Sequence, residues 1–153
     1  MILTGETEVP LRDAARTERL GAAIGRALLM GEAVLLRGGL GAGKSTLARG
    51  LVRALTAPDE EVPSPTFTLV QTYEGRDFPI AHFDLYRLER PEEIDELGLW
   101  EALDEGAIVV EWPQRMGHGL PPDRVDIELI SEGEGRLARL TPHGSWRGRG
   151  VDV

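Results

Sequence analysis

The sequence predicts a single α/β domain with a mixed parallel and antiparallel sheet flanked by helices, and three observations predict it. Two short apolar runs, Ala33-Val34-Leu35-Leu36 and Ala107-Ile108-Val109-Val110, are unbroken and end abruptly, as strands buried on both faces do. Segments with helical spacing separate them. Two further stretches alternate around turn residues and read as hairpins, which brings antiparallel pairing into the sheet. No repeat, low-complexity block or linker divides the 153 residues, so one domain spans 1–153.

The elements follow in order. Over 13–30, Leu20, Ile24, Ala27 and Leu28 recur at helical spacing, with Asp13 or Thr17 as N-cap and Gly31 as stop. The first buried strand, 33–36, ends in glycines. A helix over 45–55 carries Leu47, Leu51 and Leu55 and ends before Pro58. Residues 67–73 and 80–85 form the first hairpin, around Glu74-Gly75-Arg76-Asp77. A helix, or a helix pair broken near Gly98, covers 91–103, and the second buried strand covers 107–110. In the last hairpin Val125, Ile127 and Leu129 alternate, Gly133 and Gly135 turn, and 136–140 returns. The tail, 143–153, is expected to be frayed.

Composition narrows the chemistry. Seventeen basic residues face 26 carboxylates, for a formal charge of −9, and a chain this acidic is poorly suited to gripping a nucleic-acid backbone directly. With no cysteine there is no disulfide, thiolate nucleophile or sulfur-ligated zinc, and a cytoplasmic home fits. His82, His118 and His143 show no H-x-x-x-H spacing. The opening Met-Ile-Leu-Thr-Gly-Glu lacks a basic segment followed by an apolar one, and no run approaches the ~18 apolar residues of a membrane helix, so an unexported protein without a membrane partner is expected.

The strongest local signal is Gly38-Gly39-Leu40-Gly41-Ala42-Gly43-Lys44-Ser45, a full match to G-x-x-x-x-G-K-[ST], set between a predicted strand and a predicted helix. That context aims backbone N–H groups at phosphate, and glycines let the backbone come close. Lys44 would reach the β- and γ-phosphates, and the Ser45 hydroxyl would ligate Mg²⁺. The fold is therefore expected to be P-loop NTPase-like. Guanine reading by Asn or Thr followed by Lys-x-Asp needs a second lysine, and Lys44 is the only one, so ATP is the expected nucleotide.

A carboxylate should hold the metal from the end of a neighbouring buried strand. Glu111 closes 107–110 and fits; the plain alternative is an ordinary strand-terminating acid. Asp84 is the next candidate, sharing a strand face with Ile80 and His82, and it could equally be a solvated edge residue. His82 reads as structural, with a hydrogen-bonding role beside Asp84 as the sharper option. Ser64-Pro65-Thr66 is a stiffened loop that could present the Thr66 hydroxyl to a γ-phosphate or its metal, or be a plain turn. Seven carboxylates without a basic residue between Glu92 and Glu105 make either a solvated helix face or a docking surface for a basic partner.

The P-loop together with Ser-Pro-Thr-Phe-Thr-Leu-Val (64–70), His-Phe-Asp-Leu-Tyr-Arg-Leu (82–88) and Val-Glu-Trp-Pro-Gln (110–114) resembles the TsaE family, also called YjeE, over roughly 17–140. The resemblance implies the ATPase subunit of the bacterial machinery that makes threonylcarbamoyladenosine in tRNA, working with TsaD and TsaB and meeting tRNA only through them. By resemblance Lys44, Ser45 and Thr46 match the phosphate and Mg²⁺ residues, Glu111 the Walker B-like acid and Thr66 a switch-like loop position. Asp84 and Trp112 match positions tied to ATPase activity, and Arg136 is similar to a C-terminal arginine near the nucleotide. Ser45 departs from the threonine of many members but supplies the same hydroxyl. No arginine finger is evident near the P-loop, so the isolated chain is expected to hydrolyse ATP slowly until a partner completes the site. Two rival readings are a small-molecule kinase, with Arg87, Arg90 and Arg115 as scattered lid candidates, and an ATP-gated interaction module with incidental hydrolysis.

Overall fold

A computed structural model describes residues 1–153. In chain order the elements are β1 (Ile2–Leu3), β2 (Thr7–Leu11), α1 (Ala14–Ala27), β3 (Ala33–Arg37), α2 (Lys44–Leu55), β4 (Val70–Glu74), β5 (Pro79–Asp84), α3 (Glu93–Leu97), α4 (Leu99–Glu105), β6 (Ala107–Glu111), β7 (Arg124–Glu132), β8 (Gly135–His143) and β9 (Arg149–Gly150). Seven strands form one sheet in the order β2-β8-β7-β3-β6-β5-β4. At its centre β3 runs parallel to β6 and β7, and β5 runs parallel to β6; both hairpins and the β2–β8 pair are antiparallel. The mixed sheet is the predicted one.

Alternation along the central strands divides the core into two layers. Val34, Leu36 and Val109 point to one face, where Leu20 and Ile24 of α1 and Leu47, Leu51 and Val52 of α2 cover them. Ala33, Leu35, Ile108 and Val110 point to the other, beneath Ile94 of α3 and Leu99 and Leu103 of α4. Helices α1 and α2 approach so closely that a Cβ on Gly21 would strike the Leu47 carbonyl, and one on Gly50 the Glu18 carbonyl. This close crossing seats α2, and with it the loop before it, firmly on the sheet.

Helix α1 starts where predicted, with the Asp13 carboxylate accepting from the Arg16 N–H at 2.9 Å, but ends at Ala27 and leaves Leu29 and Met30 exposed. The first hairpin begins at Val70 rather than at 67, because Leu69 adopts a left-handed φ of 69° that breaks the extended run. The expected helix pair breaks at Gly98 as anticipated. Two features were not anticipated. Residues 7–11 form β2, an edge strand, where Pro10 is tolerated. The tail over 143–153 is not frayed: it makes a 3₁₀ turn (Gly144–Trp146), buries Trp146 and Val151, and pairs β9 with β1. Its anchor is Glu32, buried just before β3, which accepts from Arg149 Nη2 at 2.7 Å and from the Ser145 hydroxyl. No helix is long and apolar enough to cross a membrane.

Candidate functional site

Strand β3 stops at Arg37, and the glycine-rich loop carries the chain over the sheet edge into α2. Gly43 caps that helix at φ 103°, a conformation that a side chain would strain. No side chain caps the helix, so its first-turn N–H groups stay available to an anion. The carboxyl ends of the parallel strands meet beside it: Leu36 pairs with Glu111 across β3 and β6, and Glu111 pairs with Asp84 across β6 and β5. Two carboxylates and the P-loop therefore share one sheet edge, where ligands gather in open α/β folds.

Lys44 is buried, its Nζ donating to the Gly38 carbonyl at 2.5 Å and lying 3.6 Å from the centre of the Trp112 ring. Desolvation pulls its pKa below 10.5, opposed by the charges of Glu111 and then Asp84. Trp112 meets the lysine from a backbone with a left-handed φ of 60°, and Tyr86 packs against its ring at 4.9 Å. Asp84 is buried and fully engaged: Oδ2 accepts from the Thr66 hydroxyl at 3.1 Å, and Oδ1 from the Tyr86 N–H at 3.0 Å. The Ser64 hydroxyl joins Thr66 at 2.7 Å. His82 Nε2 lies 2.7 Å from Glu111 Oε2, so the histidine serves Glu111 rather than Asp84.

These groups line a cavity of about 270 Å³ that takes in Leu40, Gly41, Ala42, Gly43, Lys44, Ser45 and Thr46 from the loop and Ser64, Thr66, Asp84, Glu111 and Trp112 from the facing wall. A second hollow of about 220 Å³ shares Gly41, Gly43 and Thr46 with it and is completed by Arg12, Asp13, Thr17 and Arg136, among others. Arg136 donates through Nε to the Ala42 carbonyl at 3.1 Å and through Nη2 to the Gly41 carbonyl at 3.0 Å, tying β8 to the loop. Thus Lys44, Ser45, Thr46, Thr66, Asp84, Glu111 and Trp112 line one cavity, and Arg136 lines the adjoining hollow that shares Gly41, Gly43 and Thr46 with it. Sequence reasoning gave no site role to Ser64, Tyr86, Thr17 or Arg12, although Ser64 and Tyr86 lie inside the 64–70 and 82–88 motifs and Thr17 and Arg12 lie at the start of the first helix. Of the lid candidates for a kinase, Arg87 lies over the Phe67 ring and Arg90 pairs with Glu93.

The donors around the cleft are hydroxyl and carboxylate oxygens, the set that suits Mg²⁺ rather than a softer ion. No group of three or more His, Cys, Asp and Glu residues gathers to cage a metal. Ser45 with one or two carboxylates could hold Mg²⁺ if a ligand's phosphates supplied further oxygens, which is how that ion is commonly bound.

The family model described as threonylcarbamoyl adenosine biosynthesis protein TsaE matches residues 11–139. The chain belongs to the TsaE family. Among relatives bearing the name tRNA threonylcarbamoyladenosine biosynthesis protein TsaE, that of Rickettsia felis is 40% identical over 137 residues, covering 88% of this chain and 80% of its own. The protein of that name from a Nostoc species is 41% identical over 149 residues, covering 93% and 90%. The crystal structure of Bacillus subtilis YdiB superposes with a TM-score of 0.77 at 26% identity, over 94% of this chain and 88% of that one. The matched span of this TsaE-family chain takes in α1, every cleft-lining residue, the first hairpin and the second as far as residue 139; the clasped tail lies beyond it.

Proposed function

We propose that this TsaE-family chain is a Mg²⁺-dependent ATPase that serves tRNA threonylcarbamoyladenosine formation in the cytoplasm, together with TsaD and TsaB. The observation that carries the reading is the convergence of Lys44, Asp84 and Glu111 at the end of the loop that opens α2. The names of its relatives support the pathway, and the charge of −9 supports a division of labour in which the partners hold the tRNA.

In this reading the N–H groups of the loop and of the first turn of α2 receive the phosphates, the nucleoside side lies toward Arg136 and Thr17, and Lys44 leaves the Gly38 carbonyl for the β- and γ-phosphates. Ser45 and Glu111 would hold Mg²⁺, which when bound would supply charge neutralisation to the phosphates. Asp84 presents Thr66 toward the γ-phosphate; as that hydroxyl turns to the nucleotide, an Asp84 oxygen becomes free to orient the attacking water. Little covalent work falls to the protein, so rate comes from position and fixed charge.

Binding of ATP with Mg²⁺, followed by calorimetry on the wild type and Lys44→Ala, tests the site: tight metal-dependent binding lost in the variant is expected, and equal binding by both contradicts it. One observation favours a role for nucleotide-gated docking as well. Leu40 and Phe67, on the loops that wall the cleft, are 75% and 81% exposed, an apolar rim suited to a partner that closes over the nucleotide. If docking alone were the function, Asp84→Ala would still support multiple rounds of tRNA modification; on the ATPase reading those rounds stop.

A further inference from the structure

We propose that His82 is a positioning residue that fixes the metal-side carboxylate, Glu111, through its Nε2–H. The inference rests on the preceding reading in one respect, that Glu111 holds Mg²⁺. Both side chains are almost wholly enclosed, with 1% and 4% of their surfaces exposed, and their atoms meet at 2.7 Å. The pair is set by sheet register. His82 stands opposite Val109 on the adjacent parallel strand, and Glu111 is two residues further along on the same face as Val109, the face against which α2 packs. The contact is therefore a diagonal cross-strand pair between β5 and β6, with the ring enclosed in the sheet and the carboxylate at the wall of the cavity.

The ring's other nitrogen decides the tautomer. Nδ1 is buried and has no hydrogen-bond partner. A proton on Nδ1 would be a buried donor with no acceptor, and a bare Nε2 would turn its lone pair on a carboxylate oxygen; with the proton on Nε2 both faults disappear and only an unused acceptor remains. Glu111 Oε2 is then committed to the histidine, while Oε1 has no hydrogen-bond partner of its own. A carboxylate held by one oxygen offers the other in a fixed direction, the arrangement by which an outer hydrogen bond orients a metal ligand. Asp84 on the same strand face is held instead by Thr66 and Tyr86, so the two carboxylates of the cleft have separate supports.

The test uses the full chain, Mn²⁺ as a spectroscopic substitute for Mg²⁺, and a non-hydrolysable ATP analogue. Electron spin resonance gives the Mn²⁺ affinity in the presence of the analogue, and a fluorescent ADP gives nucleotide affinity in chelator. His82→Leu and His82→Asn, which withdraw the donor at Nε2, are expected to weaken Mn²⁺ binding about 10–100-fold while metal-free nucleotide affinity stays unchanged. His82→Gln, whose amide reaches toward the same oxygen, is expected to recover most of the loss. Folded variants that bind Mn²⁺ like the wild type overturn the proposal. Should the variants fail to fold, ¹⁵N-histidine resonances of the unaltered protein still decide: a His82 signal protonated at Nε2 and displaced by Mn²⁺-free Mg²⁺–nucleotide is expected, and a proton on Nδ1 overturns it. Wild-type protein whose nucleotide binding ignores both metals contradicts the metal reading itself, a result distinct from variants that lose the histidine and keep the metal.

Discussion

Burial and charge pull Lys44 in opposite directions, and burial is the larger influence, which holds the ammonium below its ordinary 10.5. The folded chain thus releases this proton at lower pH than the unfolded chain, so unfolded molecules bind more protons in the interval just below 10.5, and folding gains as pH rises through it. Lys44→Met keeps the stem and removes the charge; its melting temperature is expected to match or exceed that of the wild type at neutral pH, with the difference narrowing as pH approaches 10.5. Calorimetric melting across pH checks this, and a difference that widens with pH contradicts it. The same variant should lose about 10²–10³-fold in hydrolysis, as expected when a charged group aimed at the transition state is removed. At this scale the sequence was informative about which residues gather at the cleft, because a glycine-rich loop ending in Lys-Ser has one common use. It was silent about how they are held. The positive φ of Trp112, the Thr66–Asp84 bond and the His82–Glu111 pair depend on register between strands and on backbone outside regular elements, neither of which periodicity encodes.

Helix α2 is positioned by its crossing with α1, where Gly50 lies against the Glu18 carbonyl and Gly21 against the Leu47 carbonyl. Gly50→Ala would help an isolated helix, yet here it forces the two backbones apart; a net loss of about 1–3 kcal/mol is expected from overpacking. Urea unfolding measures it, and a stabilised variant contradicts the account. The helices were readable because Leu20, Ile24, Leu47 and Leu51 repeat at helical spacing, whereas their intimate contact was not, since glycines inside a helical pattern read as weaknesses. Strand β2 escaped notice for a related reason. It is five residues long and contains Pro10, which argues against a central strand and is harmless only at the edge it occupies. The clasped tail could not be foreseen because Arg149 meets Glu32 from 117 positions away. Arg149→Ala should cost about 3–5 kcal/mol by leaving the buried Glu32 carboxylate without its counter-charge, held only by the Ser145 hydroxyl and the Leu29 N–H, and Glu32→Met in the same chain should return part of it; urea midpoints of the single and double variants decide.

Across the whole molecule, three parallel strand ends bring the cleft together, while the chain's acidity is spread elsewhere, with seven carboxylates between Glu92 and Glu105 on and around α3 and α4. That segment lies on the opposite side of the sheet from α1 and α2, so a basic partner could meet it without covering the loop that opens α2. The cavity that holds Lys44, the two carboxylates and the hydroxyls is lined by no arginine; Arg12 and Arg136 line the neighbouring hollow, where Arg136 is occupied with the loop's own carbonyls, so a developing charge on a transferred phosphate would be short of a donor. A partner that supplies it would accelerate hydrolysis. The measurement that bears most directly on this is the steady-state rate of Mg²⁺-dependent ATP hydrolysis by the purified chain, alone and with TsaD and TsaB. A slow rate that the partners raise, and that Lys44→Ala abolishes in both conditions, is the predicted result; a rate that the partners leave unchanged, or that survives Lys44→Ala, would contradict the account.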